Sequence, residues 1–165
     1  MEINNPYGTA QICLNGHVIV DTIEEYRYDM KAYCDKCGQP TITSCPDCKS
    51  LIRGNEKSND CGYIIFDEYE KPSFCISCGN PYPWTTRGIA AASELADLVD
   101  EFSTEDRELL IKNLADLASE TPRTNVAAIQ VKKILRNTEP HIRTAFKDTL
   151  SSIISEPIIK LIWGS

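Results

Sequence analysis

Tyr33-Cys34-Asp35-Lys36-Cys37-Gly38-Gln39-Pro40 and Phe74-Cys75-Ile76-Ser77-Cys78-Gly79-Asn80-Pro81 are two copies of one phrase, aromatic-Cys-x-x-Cys-Gly-x-Pro, set 41 residues apart. In Cys-x-x-Cys, two thiolates leave one tight turn toward one ion. The glycine that follows relieves the turn, so that backbone amides can face the sulfurs. Each copy is half of a metal site and needs a second half.

The second halves lie upstream: Cys13-Leu14-Asn15-Gly16-His17 before the first copy, and Cys45-Pro46-Asp47-Cys48 before the second. Taken in order, the knuckles give one site of three cysteines and a histidine (Cys13, His17, Cys34, Cys37). The other is all cysteine (Cys45, Cys48, Cys75, Cys78). Both sets suit tetrahedral zinc, two ions per chain. The duplication favours sequential pairing, because each Cys-Gly-x-Pro knuckle keeps its own preceding partner. Spacing alone also allows a cross-braced, RING-like arrangement. Iron in the all-cysteine site stays open as well, while the histidine tilts the first site toward zinc.

A disulfide framework is disfavoured, since the chain opens Met1-Glu2-Ile3-Asn4-Asn5 with neither a basic start nor an apolar run of signal-peptide length. A thioredoxin-like role would use one Cys-x-x-Cys at a helix start, not three among glycines and prolines. Without His17, Cys13 would lack a local partner, so His17 is assigned as a ligand. Cys61, in Asn59-Asp60-Cys61-Gly62, is read as a spare loop thiol. His141, after Pro140, is read as a surface residue at a helix start.

All eight cysteines precede Trp84 in a chain of 165 residues. Composition thus divides the chain into residues 1–84, tandem zinc ribbons, and 85–165, an all-α domain of about four helices with an apolar C-terminal segment. A stretch of loops and short strands buries little apolar surface, so metal should supply much of its folding free energy. Expected strands are Ala10-Gln11-Ile12 paired with Val18-Ile19-Val20, Thr41-Ile42-Thr43, and Tyr63-Ile64-Ile65-Phe66. Residues 53–60 read as an exposed polar loop.

Beyond Thr85 apolar residues recur at helical spacing. A first helix from about Thr86 presents Leu95, Leu98, Val99 and Phe102. A second, after Ser103, presents Leu110, Leu114 and Leu117, with Glu105 and Asp106 in its first turn. The third presents Ala127, Val131, Ile134 and Leu135. A fourth runs through Ile142, Phe146, Leu150, Ile153 and Ile154, with Pro157 kinking or ending it. The tail Ile158-Ile159-Lys160-Leu161-Ile162-Trp163 is apolar on too many sides for one stripe. It suits burial, docking on a partner, or a membrane interface through residues 157–165. It is far short of a transmembrane span.

Charge bears on partners. Residues 1–87 carry 8 basic and 12 acidic side chains, so nucleic acid is a poor default partner for the ribbons. Residues 88–120 carry 2 basic and 9 acidic, while residues 121–165 carry 7 basic and 3 acidic. Such polarity fits oppositely charged, solvated helix faces, within or between copies. Alternatively, Arg123, Lys132, Lys133, Arg136, Arg143 and Lys147 form a basic surface for an anionic membrane or nucleic acid. No catalytic constellation is present, and sites with four protein ligands are structural. Asp35 and Asp47 read as solvated loop residues.

The strings Ala10 to His17, Cys45 to Cys48, and Phe74 through Pro81-Tyr82-Pro83-Trp84-Thr85 resemble a bacterial family of unknown function with an N-terminal double zinc ribbon. Thr121-Pro122-Arg123-Thr124 and Lys132-Lys133-Ile134-Leu135 extend the likeness into the helical half. The resemblance implies a cytoplasmic zinc-binding protein that uses the eight ligands named above, and it brings no activity. Lys49 departs from the glycine usual after a knuckle, which bears on that turn's geometry. The expected function is a non-enzymatic recognition or adaptor protein, with the helices serving self-association, a protein partner or a membrane surface. The alternatives are a nucleic-acid-binding regulator and a RING-like ligase component.

Overall fold

In the computed structural model, which describes residues 5–57 and 68–164, the chain divides into two compact units, Met1–Trp84 and Thr85–Ser165. The first is built from short strands and knuckles: β1 Tyr7–Thr9, β2 Gln11–Cys13, β3 Val18–Val20, β4 Thr41–Ile42 and β5 Arg53–Glu56. β2 is the centre of a three-stranded antiparallel sheet ordered β3-β2-β4, with Gln11 opposite Val20 and Ile12 opposite Ile42. β1 and β5 form a separate antiparallel pair. The β2–β3 hairpin is the one expected from the sequence.

Arg53–Glu56 forms a strand where an exposed loop was expected. Its polar sequence carries no alternation signal, yet pairing with β1 recruits it, with the Arg53 guanidinium 3.7 Å from the centre of the Tyr7 ring. Tyr63–Phe66 and Cys61 lie outside the described residues. A small core of Ala10, Ile12, Cys45, Ile52, Cys75, Tyr82 and Trp84 fills the unit, with Tyr82 and Trp84 stacked at 4.6 Å. Two of those seven residues are proposed ligands, so the metal sites and the core are one structure.

The second unit is five helices rather than about four: α1 Pro83–Leu98, α2 Thr104–Ala118, α3 Thr124–Arg136, α4 Pro140–Leu150 and α5 Glu156–Trp163. α4 stops at Leu150, and Ile153 and Ile154 are buried in the turn that follows. Pro157 neither kinks nor ends α4. It sits in the first turn of α5, where its fixed φ suits a helix start and its missing N–H costs nothing. The Ser103 hydroxyl caps α2 by accepting from the Asp106 amide at 3.0 Å. Arg107 donates to the Ala96 and Val99 carbonyls, both at 3.1 Å, closing the end of α1.

The stripes meet in one core that includes Val99, Leu110, Leu114, Val131, Phe146 and Leu150. Leu98 is excluded from it at 78% exposure. Ala92 and Ala96, with Val99 just past the helix end, define the buried side of α1, and at 100° per residue Leu98 stands about a third of a turn away. The apolar tail joins this core: Ile158 and Ile162 are buried, and Ile159, Leu161 and Trp163 pack partly buried against it. The Trp163 indole N–H donates to the Arg143 carbonyl at 3.2 Å. No helix among the described residues is long and apolar enough to cross a membrane.

Candidate metal centres

Three of the four knuckles are built alike. The amide of the first cysteine donates to the carbonyl five residues on: Cys34 to Gln39, Cys45 to Ser50, Cys75 to Asn80, at 2.8–2.9 Å. The amide four residues after each first cysteine (Gly38, Lys49, Gly79) then donates back to that cysteine's carbonyl. This closure needs a left-handed residue just after the second cysteine, with φ of 69° at Gly38, 65° at Lys49 and 75° at Gly79. Lys49 therefore adopts the glycine's conformation, and the turn survives the substitution at a backbone cost of about 1–2 kcal/mol. In the remaining knuckle Gly16, at φ 87°, is required twice over, because a Cβ there would lie 2.8 Å from Cβ of Trp84.

The knuckles pair sequentially. Cys13, His17, Cys34 and Cys37 form one group and Cys45, Cys48, Cys75 and Cys78 another, with the ligand atoms of each group within 4.8 Å of one another. Cross-bracing is thereby excluded, and the RING-like alternative loses its premise. In the first group His17 Nδ1 lies 3.5 Å from both Cys13 Sγ and Cys34 Sγ, and Cys13 Sγ lies 3.7 Å from Cys37 Sγ. In the second, Cys45 to Cys78 is 3.8 Å and Cys48 to Cys75 is 3.6 Å. These are the edges of a coordination tetrahedron. Metal–sulfur bonds of about 2.3 Å imply S···S near 3.8 Å, and a metal–nitrogen bond of about 2.05 Å implies N···S near 3.5 Å. A disulfide would need about 2.05 Å. Both donor sets fit a metal ion, and in both all four positions are protein side chains.

Several groups outside the ligands hold this geometry. Gln11, buried on β2, donates to the Lys31 carbonyl (2.9 Å) and accepts from the Lys31 amide (3.0 Å), fixing the lead-in to Cys34 beside the strand that carries Cys13. Asn80 donates to Asp47 at 3.0 Å, tying the two knuckles of the second group together. Asp35 pairs with Lys31 at 2.7 Å. Neither Gln11 nor Ser50, whose hydroxyl lies 3.1 Å from Cys48 Sγ and 3.2 Å from Cys75 Sγ, was legible from knuckle spacing. The only sequence signal for Ser50 is a hydroxyl two residues after a ligand.

Electrostatics within the groups are uneven. The Gln39 amide, followed by His17 and the neighbouring thiols, brings Cys37 down to about 6 against the opposing effect of desolvation. Burial pushes Cys13 up. The Ser50 hydroxyl is the main cause that lowers Cys75 to about 5, and it lowers Cys48 as well. The Asn80 amide favours the Cys78 thiolate, but desolvation and the sulfurs of Cys48, Cys75 and Cys45 outweigh it and hold Cys78 at about 12. Four sulfurs this close cannot all ionise on their own, and a divalent cation is what lets them do so.

The basic residues of the helical unit are partly committed. Arg123 pairs with Asp116 at 3.1 Å, and the Lys132 ammonium donates to the Leu161 carbonyl at the end of α5 at 3.0 Å. His141, exposed at the start of α4, lies 3.0 Å from the Glu139 carboxylate. No further group of metal-ligating residues occurs among the described residues.

A family model described as uncharacterized protein conserved in bacteria (DUF2321) matches residues 6–162. The chain belongs to this family. The match runs from β1 through α5, so ribbons and helices are one family unit. No curated protein and no solved structure matches the chain.

Proposed function

We propose that the chain is a non-enzymatic, cytoplasmic zinc protein: a recognition or adaptor module whose ribbons are ordered by two structural zinc ions and whose helices serve self-association or docking of a protein partner. The observation that carries this reading is the closure of both centres by four protein donors at tetrahedral spacing. A structural ion has no open position for substrate. Zinc is favoured over iron by the histidine in the first set and by the shared architecture of the two.

Protein partners are favoured over a membrane surface, since α5 spends Ile158 and Ile162 on the core of its own unit. They are favoured over nucleic acid because the ribbons are acidic and three of the seven tail-half cations, Arg123, Lys132 and Lys160, are engaged. Val126 and Ile129, 47% and 48% exposed on one side of α3, offer apolar contact.

Native mass spectrometry of the untagged protein tests both halves of the proposal. Two zinc ions per chain are expected, with a mass above that of one chain or a co-purifying protein. Iron, or fewer than two ions, overturns the structural-zinc assignment. A monomer that retains salt-sensitive binding to a polyanion overturns the choice of partner.

A further inference from the structure

The two centres differ in charge and in surroundings. With every cysteine ionised, divalent zinc leaves three thiolates and a neutral imidazole at net −1, and four thiolates at net −2. The more anionic centre is also the more open one, because Cys48 and Cys78 are exposed whereas Cys37 is half-buried and Cys34 is buried. Excess thiolate charge at an open site invites attack by electrophiles and protons. It is best countered by hydrogen bonds to sulfur, which draw off charge without occupying a coordination position.

Amide donors alone do not separate the centres: the His17 amide lies 3.3 Å from Cys13 Sγ, and the Ser77 amide 3.4 Å from Cys75 Sγ. The Ser50 hydroxyl does. It lies within reach of two sulfurs contributed by two different knuckles, 3.1 Å from Cys48 and 3.2 Å from Cys75. Its position follows from the repeat, since Ser50 occupies the place held by Gln39 and Asn80, whose carbonyl accepts from the first cysteine of its own knuckle. Asn80 turns its side chain to Asp47 instead.

Resting on the structural-zinc proposal, we infer that Ser50 is a positioning residue for the all-cysteine centre: its hydroxyl donates to the Cys48 and Cys75 thiolates, shared or in alternation, and sets how tightly that centre holds its metal. The Cys13–His17–Cys34–Cys37 centre does not depend on it.

The test compares full-length wild type, Ser50→Ala and Ser50→Thr by zinc release to a chromophoric chelator and by cobalt substitution. Ser50→Ala should release one of the two zinc equivalents about tenfold faster and leave the other unchanged. Its cobalt form should keep tetrahedral d–d bands. Its sulfur-to-cobalt charge-transfer band should shift to lower energy, because the sulfur lone pairs lose a hydrogen bond. Ser50→Thr should restore both readouts. Wild-type release and an unshifted band in Ser50→Ala overturn the role of Ser50, as does equal acceleration of both equivalents, which reports general loosening. Wild-type protein without tetrahedral cobalt bands overturns the metal assignment itself, and that outcome is distinct from a Ser50 variant that merely fails to differ.

Discussion

The two halves of this chain are of nearly equal length and solve the folding problem by different means. From Thr85 onward, eighteen buried residues form one apolar cluster among the described residues. Up to Trp84 the corresponding cluster among the described residues has seven, two of them cysteines of the candidate metal centres. At about 25 cal/mol per Å² of buried apolar area, a core of seven residues contributes far less against chain entropy than one of eighteen. The glycines, prolines and short strands that shape a knuckle are what make a core sparse. Metal ligation is the proposed source of order in the first unit, and apolar packing is that of the second.

The sharpest way to break the comparison is to remove the metal. Chelation under reducing conditions should abolish the β-sheet amide protection of residues 5–57 while the helical far-UV signal persists, because structural zinc contributes on the order of 10 kcal/mol to folding small ribbons. Hydrogen exchange followed by mass spectrometry reads the two units separately. Protection retained across β2 and β4 in metal-free protein would show that the small core suffices alone.

The converse experiment empties the apolar core. Phe146, fully buried and 6.0 Å from the Phe102 ring, should cost about 3–5 kcal/mol as Phe146→Ala. Thermal unfolding followed at 222 nm should fall sharply while bound zinc stays at two per chain. Loss of zinc in step with helix would mean that the units do not fold as separate sources of order.

Between these extremes lies Gln11, a polar residue buried in the ribbon unit with both ends of its amide used. Gln11→Leu removes the partner of the Lys31 amide and one of the two donors to the Lys31 carbonyl, the Thr41 hydroxyl being the other, and should cost about 1–2 kcal/mol, since part-buried hydrogen bonds left unmade are costly. The loss should appear as weaker metal retention at the centre containing Cys34, with little change at Cys75. A Gln11→Leu protein with both zinc affinities intact would show that the knuckle holds its own shape.

What was legible in the sequence follows the same division. Metal ligation demands fixed residue types at fixed spacing, so eight candidate ligands could be named from the sequence, and the structure brings them together in the two groups of four that the repeat favoured. Helical periodicity revealed the core of the second unit through Leu110, Leu114, Val131 and Phe146. Arg53–Glu56 gave no signal because pairing, not composition, makes it a strand. Gly54 is its one clue: a Cβ there would lie within 3 Å of the Thr9 backbone. The end of α4 was hidden because Ile153 and Ile154 continue the apolar spacing into a turn. Gln11 and Ser50 were invisible since their roles depend on neighbours distant in sequence.

Lys49 gives the smallest and most local test. Its φ of 65° is one that glycine adopts freely and that costs a side chain about 1–2 kcal/mol. Lys49→Gly relieves that cost but enlarges the backbone freedom of the unfolded chain, which returns roughly 0.5–1 kcal/mol. The difference leaves a net gain of about 0.5–1 kcal/mol. On the proposal that the ribbon unit folds with its metal, this gain should be read as affinity, a twofold to fivefold slower loss of zinc from the Cys45–Cys78 centre, and not as a higher helical melting temperature. Gly79→Lys, in the partner knuckle of the same centre, should act with the opposite sign. If Lys49→Gly instead raised the melting temperature of the helices and left zinc release unchanged, the stability of the ribbons could not be set at their knuckles.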